Sequence, residues 1–307
     1  MANIWIVAET SSWAAVLISA AKSINAGARI TAFVKGDEAA AKEAAAYGVA
    51  AFAMPQAPER LWEDYAAPLA QRAAAEVPAF ILVSASRRGR DLAARVAALI
   101  DAPLFSNGKN IRLEDGEVKG ETGVYGGMAV KTAVTGAKTV LVTVGAKDYE
   151  PAPNGAAVGE VGTLEPADSG VRVLDRKPRP VQSVNLGEAA TVVCFGRGVT
   201  EEADISYARD LAAALGGELA CSRPIAEFFK WLPEECYIGI SGQVIKPNLH
   251  VAVGVSGQAQ HYYGVRDAKT IVSINKDAES PMNQNADYYI VGDFKEVIPV
   301  LLKALTN

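Results

Sequence analysis

The chain is expected to be an α/β protein of two domains, each a mostly parallel sheet flanked by helices, and three observations lead there. Short β-branched runs alternate with alanine-rich amphipathic segments, the pattern of parallel strands joined by crossover helices. At 307 residues, half of them hydrophobic, the chain is long enough for one large core or two ordinary ones. The alternation breaks once, in a proline-rich stretch, and then restarts.

In the first half, strands are expected at Ile4 to Ala8, Arg29 to Val34, Ala51 to Met54 and Ala79 to Val83. Helical spacing covers Trp13 to Ala26, Ala39 to Tyr47 and Trp62 to Ala75, with Gly27 and Gly48 as C-terminal stops. A further helix opens at Ser86-Arg87-Arg88-Gly89-Arg90-Asp91 and runs through Leu99. From Phe105 the runs shorten and glycines recur, as in Glu114-Asp115-Gly116 and Tyr125-Gly126-Gly127, which reads as hairpins ending in a buried strand, Thr139 to Val144. Residues from about Lys147 to Gly187 hold Pro151, Pro153, Pro166, Pro178 and Pro180 and read as a linker region, since proline prevents regular ladders. Within it Val171 to Leu174 is a candidate extra strand of the first sheet. The expected domains are 1–185 and 186–307. The second holds strands at Thr191 to Phe195, Glu218 to Ala220, Tyr237 to Ile240, His250 to Val253, Thr270 to Ile274 and Tyr289 to Val291. Helices are expected at Glu201 to Leu215 and Phe294 to Leu305.

Composition excludes several classes. A net charge of -5 without a basic run argues against an electrostatic nucleic-acid binder. No stretch of 18 apolar residues occurs, so direct membrane insertion is not expected. Met1-Ala2-Asn3 leads at once into Ile4-Trp5-Ile6-Val7 without a charged leader. Cys194, Cys221 and Cys236 are odd in number and lack C-x-x-C spacing, which fits buried thiols in a reducing compartment and no metal site. A cytoplasmic protein is the expectation.

The chemistry-bearing residues gather at strand ends of the second half, the edge where open α/β sheets bind ligands. Gly196-Arg197-Gly198 follows the first strand, with Thr200 as a candidate helix cap; the glycines allow close backbone approach and Arg197 offers charge to a phosphate. Gly254-Val255-Ser256-Gly257-Gln258 follows the strand at His250, where a helix starting near Gln258 would present free N–H groups to an anion. This run is not a nucleophile elbow, G-x-S-x-G, because position 258 is Gln, and neither His250 nor His261 suits a triad. Cys221-Ser222-Arg223-Pro224 and Gly239-Ile240-Ser241-Gly242 end two more strands, and Asn275 and Asp293 end another two. Each alone reads as a turn, a cap or a solvated arginine. Together, neighbouring strands would bring them into one cleft. The dinucleotide fingerprint G-x-G-x-x-G after a first strand is not found, which counts against an NAD-dependent dehydrogenase, the alternative enzyme reading. A non-redox nucleotide-binding scaffold subunit is the other alternative.

The run Leu249 to His261, reading LHVAVGVSGQAQH, closely resembles the FAD-domain signature of electron transfer flavoprotein alpha subunits. So do Lys269 to Asp277, reading KTIVSINKD, and Ala286 to Asp293, reading ADYYIVGD. Weaker likeness lies in Gly89-Arg90-Asp91-Leu92 and Tyr125-Gly126-Gly127. The resemblance implies a Rossmann-like C-terminal domain that binds FAD and an N-terminal domain docked on a beta subunit. It implies an electron carrier serving an acyl-CoA dehydrogenase or a quinone-linked oxidoreductase, with a place in an electron-bifurcating complex left open. The cofactor-binding set it implies is Arg197, Ser222, Arg223, Ser241, Gly242, Ser256, Gly257, Gln260, His261, Asn275 and Asp293. His261 would face the pyrimidine end of the flavin, Ser241 its N5 atom and Arg223 the ring. Arg197, Ser222, Gly242 and Ser256 would surround the ring edge and pyrophosphate, and Asn275 and Asp293 the adenosine end. A cationic or hydrogen-donating His261 and a nearby Arg223 would stabilise the negative charge that reduction leaves over N1 and the C2 carbonyl. No residue is expected to be a catalytic acid, base or nucleophile, because the cofactor carries the chemistry. Many family members have Gln-Thr where this chain has Ile240-Ser241, so one polar contact is replaced by an apolar side chain, for which a backbone group could compensate. The segment Cys221 to Glu227, reading CSRPIAE, together with Tyr237 to Gly242, reading YIGISG, resembles the bacterial branch of the family.

Overall fold

The computed structural model describes residues 2–155, 158–177 and 186–305. They form two compact units. The first runs to Val124 and from Val130 to Lys177, and the second holds Tyr125–Ala129 and the described residues from Leu186 onward. The expected boundary after residue 185 adjoins residues 178–185, which lie outside the described residues together with Pro178 and Pro180.

In the first unit the strands are β1 (Asn3–Ala8), β2 (Arg29–Lys35), β3 (Ala50–Met54), β4 (Phe80–Ser84), β5 (Leu104–Phe105), β6 (Lys109–Glu114), β7 (Glu117–Val124), β8 (Ala129–Thr135), β9 (Val140–Val144) and β10 (Val161–Thr163). The helices are α1 (Ser11–Ile24), α2 (Glu38–Ala45), α3 (Ala66–Glu76) and α4 (Arg87–Leu99). Seven strands pair in parallel in the order β10-β3-β2-β1-β4-β9-β5. Side chains alternate across that sheet. Ile4, Ile6 and Ala8 join the core under α1 and α2, while Trp5 and Val7 join the one formed with α3 and α4. Strands β6, β7 and β8 make a separate three-stranded sheet. Side-chain caps start the helices as the sequence suggests: Asp37 accepts from the Ala39 and Ala40 amides, and Ser86 from Gly89. Gly48 has a positive φ after α2, whereas α1 ends on an extended Asn25, two residues before Gly27.

One strand is misplaced in the sequence reading. Val171 to Leu174 forms no strand, and the edge position beside β3 is taken by Val161–Thr163. Gly162 permits this, because the Phe52 ring lies where a Cβ would stand, 2.7 Å away. The later segment is held by one backbone bond, from the Val173 amide to the Glu59 carbonyl at 2.9 Å, and by side chains, with Arg172 on Asp168 and Arg176 on the Pro58 carbonyl.

The second unit is one parallel sheet in the order β13-β12-β11-β14-β15-β16. Its strands are β11 (Thr191–Phe195), β12 (Glu218–Ser222), β13 (Tyr237–Ile238), β14 (Leu249–Val253), β15 (Thr270–Asn275) and β16 (Tyr288–Val291). The helices are α5 (Ile205–Ala214), α6 (Ala259–Tyr262), α7 (Pro281–Gln284) and α8 (Phe294–Leu305). Val193, Phe195, Val251 and Val253 pack with α5 and α8, and Val192, Cys194 and Ala252 fill the other face with Ile238 and Ile271. Edge strand β16 has all four residues exposed, Tyr288 the most at 68%. The chain starts this sheet in the middle at β11, builds outward to β13, then crosses to β14 and builds the other half. The strand order therefore reverses between β11 and β14, where ligands bind in such sheets. No helix among the described residues is long and apolar enough to cross a membrane.

A Cβ on Gly89 would stand 1.9 Å from the Ser84 carbonyl oxygen, backbone against backbone. Gly89→Ala is therefore expected to destabilise the protein by roughly 2 kcal/mol or more through displacement of α4 from β4. Urea unfolding compared with the unsubstituted chain checks this.

Candidate functional site

The loops that leave β11, β12, β13, β14 and β15 share one edge of the second sheet and enclose a cleft of about 800 Å³. Its floor is made by close backbone packing across the β11/β14 switch. The Gly198 amide donates to the Gly254 carbonyl at 2.9 Å, and a Cβ on Gly198 would stand 2.7 Å from the Gly254 Cα. Gly254 itself has φ near +60°, a conformation that glycine adopts without strain. The glycines around Arg197 thus bring two loops together, and Arg197 is left on the cleft surface.

Of the expected residues, Arg197, Ser222, Arg223, Ser241, Ser256, Gln260, His261 and Asn275 line this cleft. Gly242, Gly257 and Asp293 do not. Gly242 abuts the Tyr237 ring and Gly257, at φ +76°, the Met282 backbone; both shape loops from behind. Asp293 ends the turn after β16, where its carboxylate accepts from the Lys295 amide at 2.9 Å and pairs with Lys276 at 2.8 Å. These contacts hold its pKa below the ordinary carboxylate value.

The two lining arginines differ. No carboxylate among the described residues pairs with Arg197, whereas Arg223 Nε meets Glu227 at 2.6 Å. The Ser256 hydroxyl is exposed and has no partner among the described residues, while Ser241 Oγ lies 3.2 Å from the Tyr237 hydroxyl. Asn275 is engaged within the protein: its amide donates to the Val255 carbonyl at 2.9 Å and to Ser280, and its oxygen accepts from Asp277. It locks the loop after β14 to the loop after β15. Ile240 lines the cleft with its side chain 44% exposed, and its backbone N–H is already given to the Gln260 carbonyl at 2.9 Å. That amide therefore does not replace the missing polar side chain.

His261 sits in the short helix α6, buried against the cleft wall. Neither ring nitrogen has a hydrogen-bond partner among the described residues. Burial pushes its pKa down to about 4, and the nearby Ile238 backbone opposes the shift in part. The cationic His261 that the sequence allowed is thus a neutral imidazole at pH 7, and its capacity to donate remains. Helix α6 has only four residues, so the dipole expected beside Ser256 is that of one turn. His250, in β14, is fully buried with its ring 6.3 Å from that of His261, and burial lowers its pKa to about 3.

Phe229, Tyr237 and Ser280 also line the cleft without having been expected there, and Gln258 does so as the residue before α6. Ser280 precedes Pro281 and caps α7, a sequence signal for a helix start. Phe229 belongs to a cluster, Phe228, Phe229 and Trp231, whose closeness in sequence was its only signal. Among the described residues no group of histidine, cysteine or acidic side chains is arranged to hold a metal ion. The three cysteines are buried and unbridged.

Two family profiles match the chain. The family profile described as "Electron transfer flavoprotein domain" matches residues 4–169, and "Electron transfer flavoprotein FAD-binding domain" matches residues 185–266. A protein named FixB from Salmonella typhimurium is 36% identical over 314 aligned residues, covering 99% of this chain and 98% of that protein. FixB of Escherichia coli O157:H7 is 34% identical over 311, with the same coverage.

Each histidine is less basic folded than unfolded, so between its folded pKa and the ordinary 6.5 the unfolded chain binds more protons. The stability gained by burying neutral imidazole is full above that ordinary value and is lost as pH falls towards 4 and 3. Unfolding free energy is expected to drop by about 1.4 kcal/mol per pH unit for each histidine in that window. Urea titrations between about pH 7 and pH 5 should show it, and His250→Phe should make the slope shallower.

Proposed function

The chain belongs to the electron transfer flavoprotein family, as an alpha subunit, and from that premise we propose that the cleft of its second unit holds FAD. The observation that carries this reading is the convergence of Arg197, Ser222, Arg223, Ser241, Ser256 and His261 on one strand-end cleft at the sheet's switch point. The donor set fits such a group. Among the described residues, Arg197 has no carboxylate partner and its charge is available to a phosphate, the Ser256 hydroxyl is unengaged, and the buried ring nitrogens of His261 have no partner at hydrogen-bond geometry.

Bound there, FAD would supply the one- and two-electron chemistry, and the chain's residues would bind and tune it. Arg197 and Ser256 would hold the pyrophosphate, aided by Ser222. His261 would donate a hydrogen bond to the pyrimidine edge from a neutral ring, a preorganised dipole in place of a full charge. Ser241, already tied to Tyr237, would hold its hydroxyl towards N5, and Arg223 would lie on the ring with its charge shared by Glu227. Gln260 would contribute beside Ser241 through the loop that its carbonyl holds to Ile240. Asn275, Gly242 and Gly257 would keep the loops in place, and Asp293 would act from the α8 turn at the adenosine end.

The domains are proposed as 1–185, docked on a beta subunit, and 186–307, carrying the cofactor. The complex would be cytoplasmic and exchange electrons with an acyl-CoA dehydrogenase or a quinone-linked oxidoreductase. The visible spectrum of the chain purified with its beta subunit tests the core of the reading. A flavin spectrum that releases FAD on denaturation is expected; a colourless complex that ignores added FAD would refute it. Arg197→Ala is expected to weaken FAD retention about tenfold or more, the worth of one charge-assisted hydrogen bond, while shifting the reduction potential little. Titration of the FAD-free complex measures the first and redox titration the second.

A further inference from the structure

The polar residues account for the edges and phosphates of the proposed cofactor, and Arg223 for a charged contact on its ring, but none of them offers the flat apolar ring an aromatic surface. One side chain in the cleft has that character and no assigned part. Phe229 lines the cleft and keeps 42% of its surface exposed, whereas Tyr237, the other aromatic lining side chain among the described residues, is buried with its hydroxyl on Ser241. Phe229 is also held in place. It is the last residue of a one-turn π-helix, Ile225–Phe229, which ends on Lys230 in the left-handed conformation at φ +57°. A π-turn is rare and recurs at functional sites, where it re-aims side chains. The Phe229 ring is braced by Trp231, at 4.8 Å and 30°, and meets Phe228 edge-on at 5.3 Å and 85°. Trp231 thus stacks against the half-exposed Phe229 ring, whereas Phe228, itself 80% exposed, meets it only edge-on, and an aromatic pair with a flat ligand is worth more than its area burial alone. Ile240, which also lines the cleft, is a second exposed apolar surface.

We propose that Phe229 is a cofactor-contacting residue that presents its ring to the isoalloxazine of FAD, with Trp231 as the positioning residue that holds it there. The inference rests on the reading that FAD occupies this cleft. It adds to that reading an aromatic contact made by a segment of the FAD-binding domain apart from the Leu249 to His261 run. The contact would contribute to affinity and screen the ring from water, and it requires no electron or proton transfer through Phe229.

The test uses the complex with the beta subunit, in FAD-free and FAD-loaded forms. Phe229→Ala is expected to raise the FAD dissociation constant about fivefold, as the loss of one aromatic pair would. Phe228→Ala, which removes the neighbouring ring outside the cleft, is expected to change it less than about twofold. A purely structural role for the aromatic cluster would make these two variants alike. Phe229→Trp should retain affinity and, because indole in contact with a flavin quenches its emission, lower bound-flavin fluorescence severalfold. Phe228→Trp should leave that emission unchanged. Unaltered affinity in Phe229→Ala, or unaltered emission in Phe229→Trp, overturns the proposal while the FAD reading stands. Failure of the unsubstituted complex to bind FAD overturns both, and the two results are distinct. Matching thermal transitions among the variants confirm that folded proteins are being compared.

Discussion

The approach of two backbones across the centre of the second sheet sets the geometry of everything around it. Gly198 and Gly254 meet closely enough that a side-chain carbon on either would enter the other's backbone. Because these loops follow β11 and β14, the contact sits where the strand order reverses and the sheet edge opens. It fixes the heights of Arg197 on one side and Ser256 on the other. The outer loops extend from that pair: Asn275 ties the β14 loop to the β15 loop, and the Ile240–Gln260 backbone bond ties the β13 loop to α6. The cleft is thus assembled from backbone contacts and buried amides, and the side chains facing the interior are left for a ligand.

Parallel strands buried on both faces write long apolar runs, and crossover helices write a 3.6-residue period, so the alternation that defines both sheets was plain in the sequence. Strand ends were legible for the same reason, since glycine, serine and arginine collect where apolar runs stop. Val161–Thr163 was not, because three residues with a central glycine carry no period, and a neighbouring ring decides their place. Val171 to Leu174 has the better strand composition, yet it meets the Pro58 to Arg60 loop through the Val173 amide and Arg176 and not the sheet edge.

Within the site, residue identity was more legible than residue state. The positions of Arg223 and Glu227, four apart, could have announced their ion pair, but only the structure separates an arginine so engaged from the free Arg197. The charge of His261 depends on burial by segments distant in sequence, and periodicity says nothing of it. Asn275 shows the converse: a polar residue at a strand end that reads as a ligand contact is used to fasten loops. Phe229 was invisible because its orientation comes from a π-turn, which has no composition rule of its own.

Edge strand β16 ends the second sheet on one side. Among the described residues nothing pairs with its outer rim, whose N–H and C=O groups are flanked by Tyr288, Tyr289, Ile290 and Val291, all exposed, with no proline or lysine among them to deter an incoming strand. Such a rim is a template for strand addition by any extended chain, including another copy of this one. A strand docked there would extend the six-stranded sheet by one, beyond β16.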